Sequence, residues 1–299
     1  NSLHSRIPLI SEVGQYIVRG GGKRLRPPVC LLAAHACGYR EGDHHIRVAG
    51  IMELLHTATL LHDDVVDDSG LRRGRATANA RWDNPTAVLV GDYLISQAFH
   101  LVVSLRNLDV MDIMSQGTCV IAGGGVLRLV QQRDPATTEE RYLEVVYGKT
   151  ARLFECAAEA GACLGDPSLR QAFAAYARHL GAAFQIIDDV LDYTSSADIM
   201  GKNVGDDLAE GKPTLPLIQA MKLLPDSDAE LIRVAIRTGG LEHIDRIVTM
   251  VRDCGALDYT MARAREESRL ALVALADVPA SPWREALEDL TKLALTRSS

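Results

Sequence analysis

The sequence predicts an all-α protein, folded as one helical bundle over residues 1–299. Apolar residues recur three and four positions apart along most of the chain, which is the period of one helix face. No run alternates apolar and polar residues as a strand does. Alanine, a strong helix former, is abundant, whereas there are only 4 phenylalanines. We therefore expect helices nearly everywhere.

The predicted helices follow one another with short interruptions. They cover residues 46–64, 86–105, 139–164, 168–192, 213–223, 229–238, 241–254, 256–275 and 282–294. Asp166-Pro167 and Gly239-Gly240 break the periodicity, as does the segment 277–279. Ser281 then predicts an N-cap, because a proline follows it at the first helical position.

Composition narrows the class of protein. A chain of 299 residues that is 47% hydrophobic can bury a large core, and no segment has the composition of a linker. The net charge of -7 argues against nucleic acid as a partner. The 6 cysteines show no Cys-x-x-Cys spacing and indicate reduced thiols in a cytoplasmic protein. Charges interrupt the apolar stretches before the roughly 20 residues of a membrane span, so we expect a soluble protein.

The pattern Asp-Asp-x-x-Asp occurs twice, in the first aspartate motif (63–67) and the second aspartate motif (188–192). Residues four apart share a helix face, so each motif presents two carboxylates in one direction. These carboxylates repel one another unless a cation lies between them. Magnesium takes a few carboxylate oxygens and completes its shell with waters and phosphate oxygens. The motifs therefore predict a magnesium and diphosphate site, although either alone also fits a solvated acidic helix end.

Other polar residues accompany the motifs. The cations are Lys23 and Arg26 in the glycine-rich run 20–27, Arg72 and Arg73 after the first motif, and Lys202 and Lys212 after the second. His56 shares a helix stripe with the first motif, and Gln185 precedes the second by one turn. Lys149 and Thr150 interrupt a predicted helix. Each of these residues alone fits a solvated or packed position, and their coexistence with the motifs is what favours a site.

With these motifs in order, the sequence resembles the trans-polyprenyl diphosphate synthases, and most closely the bacterial octaprenyl diphosphate synthases. The similarity covers essentially the whole chain. It is carried by residues 20–27, 56–67, 72–74, 90–93, 148–154, 184–193, 201–216 and 282–287.

The resemblance implies a helical bundle with a central active-site cavity and about three Mg²⁺ per site. It implies metal binding by Asp63, Asp64, Asp67, Asp188, Asp189 and Asp192. It assigns Lys23, Arg26, His56 and Arg73 to isopentenyl diphosphate. It assigns Arg72, Lys149, Thr150, Gln185, Lys202 and Lys212 to the allylic diphosphate or the developing cation, with Lys149, Thr150, Gln185 and Lys202 as catalytic residues. It also implies a cytoplasmic homodimer with at most transient membrane contact.

Product length is expected to depend on the helix that precedes the first motif. Ala58 lies five residues before Asp63, about 7 to 8 Å along the helix. The resemblance implies that a small residue here lets a prenyl tail pass, and that Leu54 and Ile51 continue the apolar tunnel to a product of about C40. The alternative is that Ala58 is a helix-packing alanine.

One stretch departs from the family pattern. Relatives usually read Glu-Gly-Glu-x-x-Gln where this chain has Gly123, Gly124, Gly125 and, three residues later, Arg128. Each interior glycine costs about 1 kcal/mol relative to alanine, so we expect a weak or kinked helix here. Arg128 either weakens magnesium binding or adds a contact to diphosphate, and the sequence leaves both open.

Three alternatives remain. A terpene cyclase shares the bundle and the first motif, but usually carries Asn, Ser and Glu in its second metal motif. A short-chain synthase makes a C15 or C20 product. A regulatory subunit of a heteromeric synthase typically loses aspartates, whereas this chain keeps all six.

Overall fold

The computed structural model describes residues 5–72, 74–194, 205–239 and 242–296. These residues are almost entirely helical, so the predicted all-α fold is confirmed. In chain order the helices are α1 (Pro8–Arg19), α2 (Arg26–Ala36), α3 (His44–Val66), α4 (Ala78–Arg81), α5 (Asn84–Ser104), α6 (Leu108–Gln131), α7 (Glu139–Val146), α8 (Arg152–Leu164), α9 (Arg170–Thr194), α10 (Asp206–Ala209), α11 (Leu215–Leu223), α12 (Asp226–Thr238), α13 (Ile244–Asp253), α14 (Ala256–Ala274) and α15 (Pro282–Thr296). A small hairpin pairs β1 (Leu71–Arg72) with β2 (Arg75–Ala76).

Each predicted helix except 139–164 corresponds to one helix of the structure, with ends that differ by up to three residues. The predicted breaks are confirmed. The Asp166 carboxylate accepts a hydrogen bond from the Ser168 N–H, Gly239 ends α12 with φ 64°, and the Ser281 hydroxyl accepts from the Arg284 N–H.

The structure differs from the prediction at several helices. The apolar periodicity did not predict α1, α2 and α6, nor the short helices α4 and α10. The single predicted helix 139–164 is instead α7 and α8, joined by a π-helical turn (Tyr147–Ala151). α6 runs continuously from Leu108 to Gln131 through the three glycines, and the local weakness or kink expected there stays a prediction.

The main core lies between α2, α3, α5, α8 and α9. Val29, Met52, Leu94, Phe154 and Leu180, one from each of these helices, are fully buried in it. Burying such a side chain contributes roughly 1.5–3 kcal/mol. Because α8 packs against both α3 and α9, this core fixes the two motif-bearing helices relative to each other.

A second cluster forms around the end of α9. Tyr193 is fully buried there against Leu208, Leu217, Ile236 and Val251 from α10 to α13. The second aspartate motif therefore ends in a packed environment, although it stands just before residues that the structure does not describe.

Helices α5 and α6 carry the most exposed apolar surface. Leu89, Leu108, Val126 and Val130 are 62–82% exposed. Both helices are also long and apolar enough to cross a membrane by length and composition alone. Charged residues still interrupt them, Asp92 in α5 and Asp112 and Arg128 in α6. Only about a third of each apolar window is buried.

Candidate active site

The first aspartate motif lies at the C-terminal end of α3, with Asp67 as the C-cap. A helix C-terminus carries partial negative charge, so carboxylates here are unfavourable unless cations neutralise them. The last turn of α3 contains no basic residue. The compensating charge must come from other elements.

Each carboxylate of the first motif meets a cation from a different element. The pairs are Lys149 Nζ with Asp63 Oδ1 at 3.1 Å, Arg72 Nη2 with Asp64 Oδ1 at 2.7 Å, and Arg128 Nη2 with Asp67 Oδ1 at 2.6 Å. The side chains of Asp64 and Asp67 are more than nine-tenths buried, whereas that of Asp63 is 25% exposed. Asp63 is therefore the carboxylate of this motif most open to a ligand.

Burial and these cations act against each other on the carboxyl groups. Burial raises the pKa of Asp64, and the hydrogen bond from Arg72 only partly offsets it. For Asp67 burial acts in the same direction, but Arg128, Lys212 and Lys149 together bring its pKa below the ordinary value. Asp67 is therefore held ionised by three cations from separate parts of the chain.

Neutral donors hold the buried Asp189 of the second motif. Tyr142 donates to Oδ2 at 2.7 Å, and the Gln185 amide donates to Oδ1 at 2.8 Å. Burial raises the pKa of Asp189, and the nearby Asp207 raises it further. A nearby cation would therefore favour the ionised form of this carboxyl.

The other two carboxylates of the second motif differ in exposure. Asp188 is 36% exposed, and its Oδ1 lies 3.6 Å from Lys23 Nζ. Asp192 is buried, and its Oδ2 accepts from the backbone N–H of Asp207 at 3.3 Å. Asp188 is thus the counterpart of Asp63. Each is the most exposed carboxylate of its motif and lies near one lysine.

The π-helical turn connects the two motifs. Lys149 contacts Asp63, and the neighbouring Thr150 donates from its hydroxyl to Gln185 Oε1 at 2.9 Å. Since Gln185 in turn donates to Asp189, consecutive residues of one turn reach both motifs. The predicted grouping of Lys149, Thr150 and Gln185 with the motifs is therefore present in the structure.

Close packing between two glycines fixes the position of this turn. A Cβ added to Gly124 of α6 would lie 2.6 Å from the Gly148 carbonyl carbon, which is too close for any side chain. A Cβ at Gly123 or Gly125 would meet no atom within 4 Å. Only the middle glycine of the three is required by the approach of α6 to the turn.

The glycine-rich loop before α2 brings two cations to the second motif. Gly21 and Gly22 have positive φ, as the turn requires. Lys23 Nζ lies 5.2 Å from the centre of the Phe184 ring, and the Arg26 guanidinium lies 4.5 Å from that of Phe154. These cation–π contacts place the loop beside α8 and α9.

Burial lowers the pKa of Arg26 to about 10, opposed by the charges of Glu53 and Asp188. Arg26 is therefore still protonated at neutral pH.

His56, predicted to share this pocket, is half-buried on α3. Lys212 pairs with Asp207 at 3.4 Å and with Glu210. Although burial opposes it, these acids and Asp67 raise the pKa of Lys212.

The predicted chain-length residues all lie in the main core. Ala58 and Ile51 are fully buried, and Leu54 is 6% exposed. A small cleft of about 40 Å³ opens beside Asp64 and Arg72, and α1 contributes Tyr16 and Ile17 to its lining. The second motif does not line this cleft, so the central cavity and the tunnel remain predictions.

Arg73 and Lys202 lie outside the described residues, and their predicted roles remain predictions. Sequence reasoning missed Tyr142 and the capping contact of Asp207. The Gly-Asp-Asp sequence at 205–207 was a signal for Asp207, whereas nothing local pointed to Tyr142, which lies 47 residues from its partner.

The donor set fits a hard divalent cation. Among the described residues no group of three or more His, Cys, Asp or Glu side chains is close enough to hold a metal alone. Oxygen ligands that the protein leaves incomplete suit Mg²⁺, which keeps waters and takes phosphate oxygens. Asp63 and Asp188, the two more exposed carboxylates, are the best placed to share such an ion with a ligand.

Fold and site together define a class: all-α proteins in which two acidic helix ends and a set of cations surround a site suited to a diphosphate. Residues 7–252 match the family model described as polyprenyl synthetase. The chain belongs to the polyprenyl synthetase family.

Similar proteins cover almost the whole chain. An all-trans-nonaprenyl-diphosphate synthase (geranyl-diphosphate specific) of Rhodobacter capsulatus is 54% identical over 99% of this chain and 91% of its own. The octaprenyl diphosphate synthase of Escherichia coli strain K12 is 49% identical over 99% of this chain and 92% of its own. A crystal structure of the Caulobacter crescentus polyprenyl synthase, complexed with calcium and isoprenyl diphosphate, has a TM-score of 0.95 and 40% sequence identity. The match covers 100% of this chain and 92% of the Caulobacter chain.

Proposed function

We propose that this chain is a Mg²⁺-dependent trans-prenyltransferase that elongates an allylic diphosphate with isopentenyl diphosphate. The observation that carries the proposal is the π-helical turn, where Lys149 pairs with one aspartate motif and Thr150 reaches the other through Gln185. An anion held between the motifs would then lie beside fixed cations. Family membership and the long-chain relatives support a long-chain product.

The reaction needs electrostatics more than a protein nucleophile. The allylic C1–O bond breaks, the bond pair leaves with the diphosphate, and the C4 end of isopentenyl diphosphate bonds to C1. The C3=C4 double bond of isopentenyl diphosphate supplies the electron pair of this new bond. Its C2–H bond then breaks, the C2=C3 double bond forms, and the proton goes to the departing diphosphate. Bound Mg²⁺ supplies stabilisation of the negative charge that grows on this leaving group. Lys149 and Lys212 add fixed positive charge, as does Lys202 in this proposal.

The oxygens of Thr150 and Gln185 are proposed to face the allylic cation. Their mutual hydrogen bond at 2.9 Å restricts both side chains. Such dipoles stabilise positive charge most when they need not reorient. On the other substrate, Lys23, Arg26, His56 and Arg73 are proposed to hold isopentenyl diphosphate.

We propose a product of about C40 that serves as a quinone side chain, and farnesyl diphosphate as the primer. Geranyl diphosphate is the competing primer, because the Rhodobacter relative is described as specific for it. The discriminating assay supplies Mg²⁺, radiolabelled isopentenyl diphosphate and either primer, and sizes the dephosphorylated products. Cyclised products would favour a terpene cyclase, C15 or C20 products a short-chain synthase, and no product a regulatory subunit.

Product length is tested at Ala58. We expect Ala58→Tyr or Ala58→Phe to fill the proposed tunnel and shift the product from about C40 to C20 or shorter, while the first condensations keep a similar rate. Ala58→Ser is the matched control, since it adds little volume at the same position. Mass analysis that finds an unchanged product length with the aromatic side chain would show that the tail follows a different face.

We also propose a cytoplasmic homodimer of single-domain subunits, with no nucleic-acid partner and at most transient membrane contact when product leaves. The exposed apolar side chains of α5 and α6 support an interface there, because large exposed apolar patches usually mark interaction surfaces. Light scattering should give twice the chain mass. Leu108→Glu combined with Val126→Glu should give monomers, and a dimer that survives both changes would contradict this interface.

A further inference from the structure

Arg128 occupies an unusual position beside the first aspartate motif. Its Nη2 lies 2.6 Å from Asp67 Oδ1, and the two side chains are only 9% and 8% exposed. The Nε and Nη1 atoms of Arg128 are buried without a hydrogen-bond partner. A buried guanidinium with two unsatisfied donors is costly, so the contact with Asp67 is the main compensation for its charge.

The ion pair affects what Asp67 can bind. With Lys149 on Asp63 and Arg72 on Asp64, the three carboxylates of the first motif are matched by three cations of the protein itself. A divalent ion that takes Asp67 Oδ1 as a ligand competes with the Arg128 guanidinium for that oxygen. The displaced guanidinium would remain buried and lose its nearest anion, which penalises metal binding.

We propose that Arg128 is an internal counter-cation that competes with divalent metal for Asp67 and keeps the first motif weakly metal-binding while no diphosphate is present. The inference rests on the proposed function for treating Asp67 as a metal ligand. A diphosphate would relieve the competition, because its oxygens accept from the free Nε and Nη1 groups once the guanidinium leaves Asp67. Arg128 then links metal binding to substrate binding.

The test measures Mn²⁺ binding to the purified, substrate-free protein by electron paramagnetic resonance of the free ion. We expect Arg128→Gln to bind Mn²⁺ at the first motif about 10-fold more tightly than the wild type. Arg237→Gln removes the same charge from an exposed surface pair with Glu230 and should change the affinity less than 2-fold. Equal affinities for Arg128→Gln and Arg237→Gln, or weaker binding by Arg128→Gln, would overturn the proposal.

A double-mutant cycle tests whether the effect passes through Asp67. In an Asp67→Asn background, Arg128→Gln should no longer tighten Mn²⁺ binding. If Arg128→Gln still raises the Mn²⁺ affinity in this background, Arg128 acts through the electrostatic potential of the whole site and not through the Asp67 carboxylate. That result would also overturn the proposal. Arg128→Met preserves the length of the side chain and takes the place of Arg128→Gln if circular dichroism shows that the glutamine variant does not fold.

The outcome is separable from that of the proposed function. If the wild type elongates prenyl diphosphates but Arg128→Gln leaves Mn²⁺ affinity unchanged, only the counter-cation proposal fails. If no elongation occurs in any variant and the affinity still rises through Asp67, the competition stands and the proposed function fails.

Discussion

The two aspartate motifs share one five-residue pattern and a position near a helix C-terminus, yet their surroundings differ in kind. In the first motif every carboxylate has a cationic side chain as its partner. In the second, tyrosine and amide groups hold Asp189, a backbone N–H donates to Asp192, and the partly exposed Asp188 lies near Lys23. A neutral donor orients a carboxylate but brings no positive charge to it. A cationic partner orients the carboxylate and also compensates its negative charge.

The difference bears on how each side attracts metal. An incoming metal ion displaces no protein cation from a carboxylate that neutral donors hold, whereas it competes with the partner of an ion-paired carboxylate. Burial raises the pKa of Asp189, so this carboxyl gives up its proton more readily once a metal ion is near. We therefore infer that metal binding meets less competition from protein cations at the second motif than at the first. The predictions that follow test this contrast, from the largest expected effect to the smallest.

Asp63→Ala and Asp188→Ala should have the largest effect on activity. Each removes the most exposed carboxylate of one motif, and we expect kcat to fall by about 10³-fold or more, because both sides stabilise one leaving group. Since these side chains are 25% and 36% exposed, the helical circular dichroism should stay unchanged. Near-normal turnover in either variant would contradict a site that uses both motifs.

Tyr142→Phe tests the neutral support of the second motif. It deletes one of the two side-chain donors to buried Asp189, and we expect a loss of about 1–3 kcal/mol in the free energy of unfolding, measured with urea. Loss of a group that orients a metal ligand should also lower metal affinity by about 10- to 100-fold.

Tyr259→Phe is the matched control for this prediction. Its hydroxyl also donates to a carboxylate, Glu139, at 2.8 Å, but Tyr259 is exposed. We expect a change within about 0.5 kcal/mol. Equal losses of unfolding free energy in the two variants would mean that the burial of Asp189 does not make its hydrogen bond from Tyr142 more stabilising than an exposed one.

Gly124→Ala tests the turn that connects the motifs. The added Cβ would lie 2.6 Å from the Gly148 backbone, so we expect a loss of about 1–3 kcal/mol in the free energy of unfolding. Turnover of the folded enzyme should fall as well, because Lys149 and Thr150 would move with the turn.

Gly123→Ala and Gly125→Ala are the controls, because neither Cβ would meet an atom within 4 Å. Both should stabilise the helix by up to about 1 kcal/mol, since alanine is the better helix former. Thermal denaturation of the three variants, measured side by side, checks whether Gly124→Ala is the least stable. A Gly124→Ala variant as stable as the other two would contradict the close packing.

Lys23→Ala should have the smallest effect on the fold. Lys23 is 50% exposed and 3.6 Å from Asp188, so its ion pair adds at most about 1 kcal/mol. We expect the KM for isopentenyl diphosphate to rise about 10-fold, with kcat little changed. Arg73→Ala should behave alike, whereas Lys202→Ala should impair the allylic substrate, and the reverse pattern would show that the two pockets are exchanged.

Much of the fold was predictable because helix periodicity is local. The apolar spacing located the predicted helices, although 139–164 proved to be two, and Asp166, Gly239 and Ser281 marked breaks and caps through contacts within four residues. The spacing did not reveal the π-helical turn, which lies where Gly124 of another helix packs against Gly148. Nor did it reveal that α6 stays helical through three glycines.

The sequence by itself determined the all-α class, the two aspartate motifs and the cations that accompany them, because residue type and short-range spacing specify these features. Only the tertiary structure decided which partner each carboxylate has. Arg128 meets Asp67 and Tyr142 meets Asp189 across large separations in the chain. Local patterns carry no information about such pairs, since their geometry follows from how α3, α6, α7 and α9 pack together.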